Sequence, residues 1–179
     1  YGLRKMENIR NSVYTTFNKV FRNEKSEVGS LDRLISFSVR DIMFVGDEHF
    51  VAKVRQQLIE RMIVFFEETG LEFSIEVADD PFFYNSVEKK LFQHSFALKY
   101  EILVRIPFLE KKIAVGSINL HRDTFGKAFE ISQEDKPIHS GCLGVGFERL
   151  MLALYSQHGT ETSAWPDSLQ YLLGIKEAD

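Results

Sequence analysis

The sequence contains a single cysteine, four prolines and one tryptophan among 179 residues. One cysteine excludes an intrachain disulfide framework, which favours a reducing, cytoplasmic location. No apolar run approaches the roughly 18 residues that a membrane-spanning helix needs, and no signal peptide opens the sequence. We therefore expect no membrane partner.

The charge of the chain is nearly balanced, with 22 lysines and arginines against 26 aspartates and glutamates and a formal net charge of −4. Such a chain has no general electrostatic attraction to nucleic acid or to an anionic membrane. Its hydrophobic content of 44% is sufficient for one sizeable core, and no repeat or proline-rich linker divides it. We therefore predict one domain over residues 1–179. Because the first residue is Tyr1 rather than methionine, we also predict that the N-terminal part of this domain is missing.

Periodic patterns predict a strand-rich domain with two main helices. A strand-like run ends near Arg22, and a polar loop containing Gly29 joins it to a second run that ends at Gly46, so an antiparallel hairpin is expected. Apolar residues at helical spacing predict a helix over residues 48–69, with Gly70 at its C-terminal cap. Further strands are expected over residues 73–78, 96–107 and 112–121, and a final helix over residues 146–159. This order indicates an α+β fold built on an antiparallel sheet.

Two segments carry a more specific pattern. The first is "FRNE" (21–24), followed by a loop and the returning run "RLISFSVRD" (33–41). The second is "GVGFERLMLAL" (144–154), a glycine-punctuated strand that enters a helix containing Arg149. In this order the two segments resemble motifs 2 and 3 of the class II aminoacyl-tRNA synthetases. The resemblance implies the fold of that class, an antiparallel sheet flanked by helices.

Within that class the chain is most similar to the seryl branch, through "KYEILVRIP" (99–107) and "WPDSLQYLLG" (165–174). The segments "SINLHRDTFGKAFEI" (117–131) and "HSGCLGVGFERL" (139–150) resemble the amino acid:[carrier protein] ligases, shortened homologues of atypical seryl-tRNA synthetases without the tRNA-binding arm. The resemblance implies that ATP activates a small amino acid to an aminoacyl adenylate, and that a phosphopantetheine thiol on a carrier protein receives the aminoacyl group. It also implies a homodimer, with tRNA an unlikely partner.

The same resemblance implies nucleotide-binding roles by motif position. Arg22 would hold the α-phosphate of ATP and Arg149 the γ-phosphate. Bringing a carboxylate against the α-phosphate requires positive charge, which arginine supplies as a planar fork of donors. Phe37 would stack against adenine with Arg149 on the other face, and Glu24 would accept a hydrogen bond from the adenine amino group. Arg33 is a further expected nucleotide contact.

A zinc ion held by two cysteines and a glutamate is also implied, with the amine of the amino acid as its remaining ligand. Cys142 matches the second family cysteine, and Asp41 matches the position usually occupied by glutamate. The other cysteine would lie upstream of Tyr1. A catalytic zinc keeps one coordination position open, here for the substrate amine. The alternative is a buried Cys142 and an Asp41 that pairs with a neighbouring arginine.

Magnesium is expected because ATP brings it. The segment "KKIAVGS" (111–117) supplies no carboxylate where the seryl enzymes carry a glutamate. Glu101 and Glu130 are the available substitutes, and the magnesium ligands stay open. Adenylate formation needs no general base, since the carboxylate is already the nucleophile. Among the histidines, only His121 is matched to a family position near the active site.

Two other functions are compatible with the sequence. One is a seryl-tRNA synthetase-type tRNA ligase, whose RNA-binding domain would lie outside this chain because no basic or aromatic nucleic-acid surface is evident. The other is a non-catalytic paralogue that binds a nucleotide or a partner. A family-type cysteine upstream favours catalysis, and a long heptad-patterned arm favours tRNA.

Overall fold

The computed structural model describes residues 3–23, 31–78 and 97–176. The strands are Ser12–Phe21 (β1), Ser36–Gly46 (β2), Phe73–Val77 (β3), Lys99–Ile106 (β4), Lys111–Arg122 (β5), Ser132–Gln133 (β6), Lys136–Pro137 (β7) and His139–Gly146 (β8). Six of them form one antiparallel sheet in the order β1-β2-β8-β5-β4-β3, and β6 pairs with β7 in a separate ribbon. The prediction of an α+β fold on an antiparallel sheet is confirmed.

Helices follow the strands at several points. The α-helices in the described part of the chain are Glu48–Glu68 (α1), Thr124–Phe129 (α2), Phe147–His158 (α3) and Asp167–Leu172 (α4), and short 3-10 helices span Pro107–Leu109 and Thr162–Ala164. Helix α1 begins where the Asp47 carboxylate accepts the Phe50 N–H at 2.8 Å. It ends before Gly70, whose φ of 66° is the left-handed conformation of a C-terminal cap. The predicted helix and its glycine cap are therefore confirmed.

The main sheet has one face covered by helices. Ile102, Ile118 and Leu143 on three neighbouring strands are buried in one cluster with Phe66 of α1 and Ala153 of α3. Because successive side chains on a strand point to opposite faces, the residues next to these in sequence point away from α1 and α3. That second face carries the candidate site.

A smaller apolar cluster closes one end of the second face. It consists of Ile9, Val45, Ile131 and Ile138. Helix α2 packs closely there, because a Cβ at Gly126 would lie 2.3 Å from the carbonyl oxygen of Ile138. None of the helices in residues 3–23, 31–78 and 97–176 combines the length and apolar character needed to cross a bilayer.

Candidate active site

A cavity of about 340 Å³ opens on the face of the sheet that α1 and α3 leave uncovered. Its walls come from β2, β4, β5 and β8, from the first turn of α3 and from residues that flank β1 and β2. Its charged lining residues are Arg22, Asp41, Lys99, Glu101, Glu148 and Arg149. The fold thus brings together three cations and three carboxylates from four separate parts of the sequence.

One end of the cavity combines an aromatic ring with a guanidinium group. The Cζ atom of Arg22 lies 5.4 Å from the centre of the Phe37 ring. The backbone N–H of Arg22 donates to the carbonyl of Ile35 at 2.7 Å, which holds the ends of β1 and β2 together. An aromatic face can stack on a nucleobase, and a guanidinium group can pair with phosphate. This end therefore has the chemistry that a nucleotide requires.

Arg149 is fixed by two backbone carbonyl groups. Its Nε donates to Asp32 at 2.9 Å and its Nη1 to Ala114 at 2.8 Å. Ala114 lies at a bulge of β5, where the register with β4 shifts, and bulges commonly re-aim groups beside active sites. The carboxylate of Asp32 is in turn 2.7 Å from Nζ of Lys111. These contacts set the plane of the Arg149 guanidinium group.

Glu148 connects α3 to β2. Its two carboxylate oxygens accept the same backbone N–H of Ser38, at 2.9 and 2.7 Å. Burial alone would raise the pKa of Glu148, but the hydrogen bonds from Ser38 and from its own backbone N–H hold that pKa below its ordinary value. The ionised carboxylate of Glu148 therefore joins α3 to β2 at Ser38. This contact fixes the neighbouring residues Phe37 and Arg149 relative to each other.

Two rows of residues, which we name the polar floor, cross four strands on the face of the sheet where the cavity opens. Five of these eight residues line the cavity. From β2 to β4 the first row is Asp41, Gly144, Ser117 and Glu101, and the second row is Met43, Cys142, Asn119 and Lys99. Residues directly opposite on antiparallel strands share a face, so both rows point to the same side. Gly144 is the position without a side chain, and it leaves a notch in the first row.

Asp41 projects over this notch. A Cβ at Gly144 would lie 2.9 Å from Oδ1 of Asp41. Burial raises the pKa of the Asp41 carboxyl group. The adjacent Arg40 lies on the other face, where its Cζ is 5.4 Å from the Phe17 ring and its Nη1 donates to Thr15 at 3.4 Å. Arg40 is therefore not the arginine partner that the alternative for Asp41 requires.

Cys142 lies among polar groups of β5. Nδ2 of Asn119 donates to its sulfur at 3.5 Å, and Nε2 of His121 is 3.6 Å away. The other ring nitrogen of His121 is 3.2 Å from Oγ of Ser140. Burial raises the pKa of the Cys142 thiol; the Asn119 hydrogen bond opposes this, and the charge of Asp41 adds to it. His121 thus contacts Cys142, the predicted metal ligand.

The predicted zinc site is incomplete within the described residues. In residues 3–23, 31–78 and 97–176, no three histidine, cysteine, aspartate or glutamate side chains form a group able to hold a metal ion. A catalytic zinc takes three protein ligands. Asp41 and Cys142 are therefore too few to hold a catalytic zinc by themselves.

The other predicted site residues fall in different places. Arg22, Phe37, Asp41 and Arg149 line the one cavity. Arg33 is exposed and lies outside the cavity lining. Glu24 lies outside the described residues, so its contact with adenine stays a prediction.

The two carboxylates considered as magnesium ligands, Glu101 and Glu130, lie in different parts of the structure. Glu101 lines the cavity, whereas Glu130 follows α2 and lies 3.9 Å from Nζ of Lys5. Glu101 is 2.9 Å from Nζ of Lys99. Sequence reasoning missed Lys99 and Glu148. The available signals were two charges at alternate positions at the start of β4, and an acidic residue beside Arg149.

The family follows from the comparison with known sequences. The family model of the tRNA synthetase class II core domain (G, H, P, S and T) matches residues 7–158. The chain therefore belongs to the class II tRNA synthetase core-domain family.

Two curated proteins and one solved structure show which members of this family the chain is similar to. Amino acid–[acyl-carrier-protein] ligase 1 of Bradyrhizobium diazoefficiens is 35% identical over 158 residues, which are 87% of this chain and 48% of that protein. The type-2 serine–tRNA ligase of Methanopyrus kandleri is 26% identical over 172 residues, 91% of this chain and 33% of that protein. The crystal structure of A. aeolicus tRNASec in complex with M. kandleri SerRS has the same fold, with a TM-score of 0.71 and 24% identity over 91% of this chain and 34% of that one. The chain thus spans about half the length, or less, of the curated relatives described here.

Proposed function

We propose that the chain uses ATP to activate a small amino acid as an aminoacyl adenylate and transfers the aminoacyl group to the phosphopantetheine thiol of a carrier protein. The observation that carries the proposal is that one cavity contains Arg22, Phe37 and Arg149. It also contains Asp41 and Gly144 of the polar floor. The name of the Bradyrhizobium relative supports the choice of a carrier protein over tRNA. The single domain over residues 1–179, the homodimer and the cytoplasmic location stay predictions.

In the first half-reaction a carboxylate oxygen of the amino acid attacks the α-phosphorus of ATP. The bond from that phosphorus to the bridging oxygen breaks, and pyrophosphate leaves with the electron pair. Arg22 lowers the charge repulsion at the α-phosphate, and Arg149 holds the leaving end of the triphosphate. Phe37 stacks on adenine, and Arg33 is a further nucleotide contact in this proposal.

In the second half-reaction the phosphopantetheine sulfur, as its thiolate, attacks the carbonyl carbon of the adenylate. A thioester forms, and AMP leaves with the electrons of the broken carbon–oxygen bond. The Asp41 carboxylate is the described group that can meet the substrate amine, and the notch at Gly144 receives the α-carbon.

Pyrophosphate exchange tests this function directly. We expect exchange of radiolabelled pyrophosphate into ATP that depends on a small amino acid, and we expect a radiolabelled amino acid to become bound to a phosphopantetheinylated carrier protein as a hydroxylamine-sensitive thioester. Exchange followed by charging of tRNA, without carrier protein charging, would support the tRNA ligase instead. ATP binding without exchange for any amino acid would support the non-catalytic paralogue.

Zinc at Asp41 and Cys142 is a separate expected result, which requires another ligand from outside the described residues. If it is present, the purified protein carries about one zinc per chain. Cys142→Ser should lose the metal and amino acid activation while ATP still binds, because the proposed nucleotide contacts lie on Arg22, Phe37 and Arg149. Asp41→Glu restores the usual ligand type of the family and should retain zinc at least as well. Elemental analysis of the three proteins decides the matter: a metal-free protein that activates an amino acid contradicts the zinc role alone.

A further inference from the structure

The polar floor ends on β4 in an ion pair. Nζ of Lys99 lies 2.9 Å from Oε1 of Glu101, and only 17% and 29% of the two side chains are exposed. Both residues line the cavity. They are two positions apart on one strand and therefore share its face. Removing two charges from water is costly, and a stable pair needs good geometry to offset that cost.

The ion pair lies on the opposite side of Gly144 from Asp41. The first row runs from Asp41 through Gly144 and Ser117 to Glu101. Neighbouring strands are about 4.8 Å apart, so the β4 backbone lies roughly 10 Å from the notch. A side chain that leaves the notch away from Asp41 passes Ser117 and then meets Lys99 and Glu101.

The space between the notch and the ion pair is already polar. Nδ2 of Asn119 donates to Oγ of Ser117 at 3.1 Å and to the sulfur of Cys142 at 3.5 Å. Asn119 lies directly opposite Lys99, and Ser117 directly opposite Glu101. The hydrogen-bonded groups of β5 and the ion pair of β4 therefore form one continuous surface.

We propose that the Lys99–Glu101 ion pair determines specificity by closing the side-chain end of the amino acid subsite. This inference rests on the proposed function. A large apolar side chain would cover both charges and exclude water without replacing its hydrogen bonds. A charged side chain would have to displace one member of the pair. A small uncharged side chain leaves the ion pair intact. The pair therefore gives specificity by disfavouring amino acids with large apolar or charged side chains.

Variants that alter the charge in opposite directions test this role. Glu101→Gln leaves the Lys99 cation without its carboxylate and should raise kcat/KM for aspartate relative to glycine. Lys99→Met leaves the Glu101 carboxylate without its cation and should raise kcat/KM for 2,3-diaminopropionate relative to glycine. The double variant Lys99→Met/Glu101→Gln should raise it for valine and methionine relative to glycine, by roughly tenfold as expected for one remodelled pocket contact. The matched control, Lys99→Glu/Glu101→Lys, keeps an ion pair and should keep the wild-type order of amino acids.

Pyrophosphate exchange and calorimetric binding of each amino acid to the full chain give the two readouts, with ATP binding as the test of folding. Opposite shifts in the two single variants support the proposal, because a purely structural ion pair would not change the order of substrates. An unchanged order in all folded variants overturns it. So does a uniform loss with a higher Mg²⁺ requirement in Glu101→Gln, which identifies a magnesium ligand. Amino acid binding in the expected order without exchange contradicts the proposed reaction but supports the subsite, whereas no amino acid binding overturns both.

Discussion

Arg149→Ala is expected to lower amino-acid-dependent pyrophosphate exchange by about 10²–10³-fold, the effect of removing one preorganised donor from a developing charge. The structure gives the reason, because the carbonyls of Asp32 and Ala114 fix the guanidinium plane at 2.9 and 2.8 Å before any nucleotide arrives. The side chain therefore needs little reorganisation when the triphosphate binds. Exchange kinetics measured beside a thermal melt separate lost catalysis from lost folding.

Arg40→Ala is the matched control for this experiment. Arg40 is exposed on the opposite face of the sheet, beside Phe17 and Thr15. Its loss removes the same charge from the chain without touching the cavity, so exchange should stay within about twofold, as for most surface substitutions. Arg149→Lys keeps the charge but loses the planar fork, and we expect an intermediate rate. Near-normal exchange in a folded Arg149→Ala protein would show that this arginine does not hold the triphosphate.

Local sequence signals were sufficient for the main elements of this fold. Helix α1 was predicted because its apolar residues recur at helical spacing and Gly70 can adopt the left-handed cap. The β1–β2 hairpin was predicted because two strand-like runs flank one polar loop, and the register from Ser12 opposite Val45 to Phe21 opposite Ser36 confirms it. The helix and the hairpin depend on residues that are close in sequence, so the spacing of apolar and polar residues was sufficient to predict them.

The nucleotide end of the site was also accessible from the sequence, but through motif resemblance rather than periodicity. Arg22, Phe37 and Arg149 were identified in this way, and the structure brings all three to one cavity. Their roles toward ATP stay predictions. Glu148 was missed because its partner is the backbone N–H of Ser38, and a backbone partner leaves no residue type to recognise.

The amino acid end depends on strand register, which the sequence did not reveal. Lys99 and Glu101 reach the cavity only because β4 pairs with β5 in the register that places them opposite Asn119 and Ser117. A shift of one residue would turn both charges into the helix-covered core. The bulge beside Ala114 is likewise a property of the paired strands. Register therefore determines which polar residues reach the cavity.

Gly144→Ala is expected to raise the KM for the amino acid by about tenfold or more, in the range of a misplaced binding group, with ATP affinity little changed. The added Cβ would lie 2.9 Å from Oδ1 of Asp41, closer than such atoms approach, so the carboxylate must move from the notch. The substrate α-carbon also loses its space. Exchange kinetics at varied amino acid and varied ATP concentrations measure the two effects separately.

Gly141→Ala provides the contrast on the same strand. A Cβ at Gly141 would lie 2.3 Å from Cε2 of Phe44, which is fully buried beneath the other face of the sheet. Overpacking of this kind typically costs about 1–3 kcal/mol of stability, so we expect a lower melting temperature with the amino acid KM little changed among the molecules that remain folded. The two glycines are three residues apart on β8, and only Gly144 lies under the proposed substrate. If Gly144→Ala lowers the melting temperature as Gly141→Ala does and leaves the amino acid KM unchanged, the notch is a packing feature and the amino acid binds elsewhere.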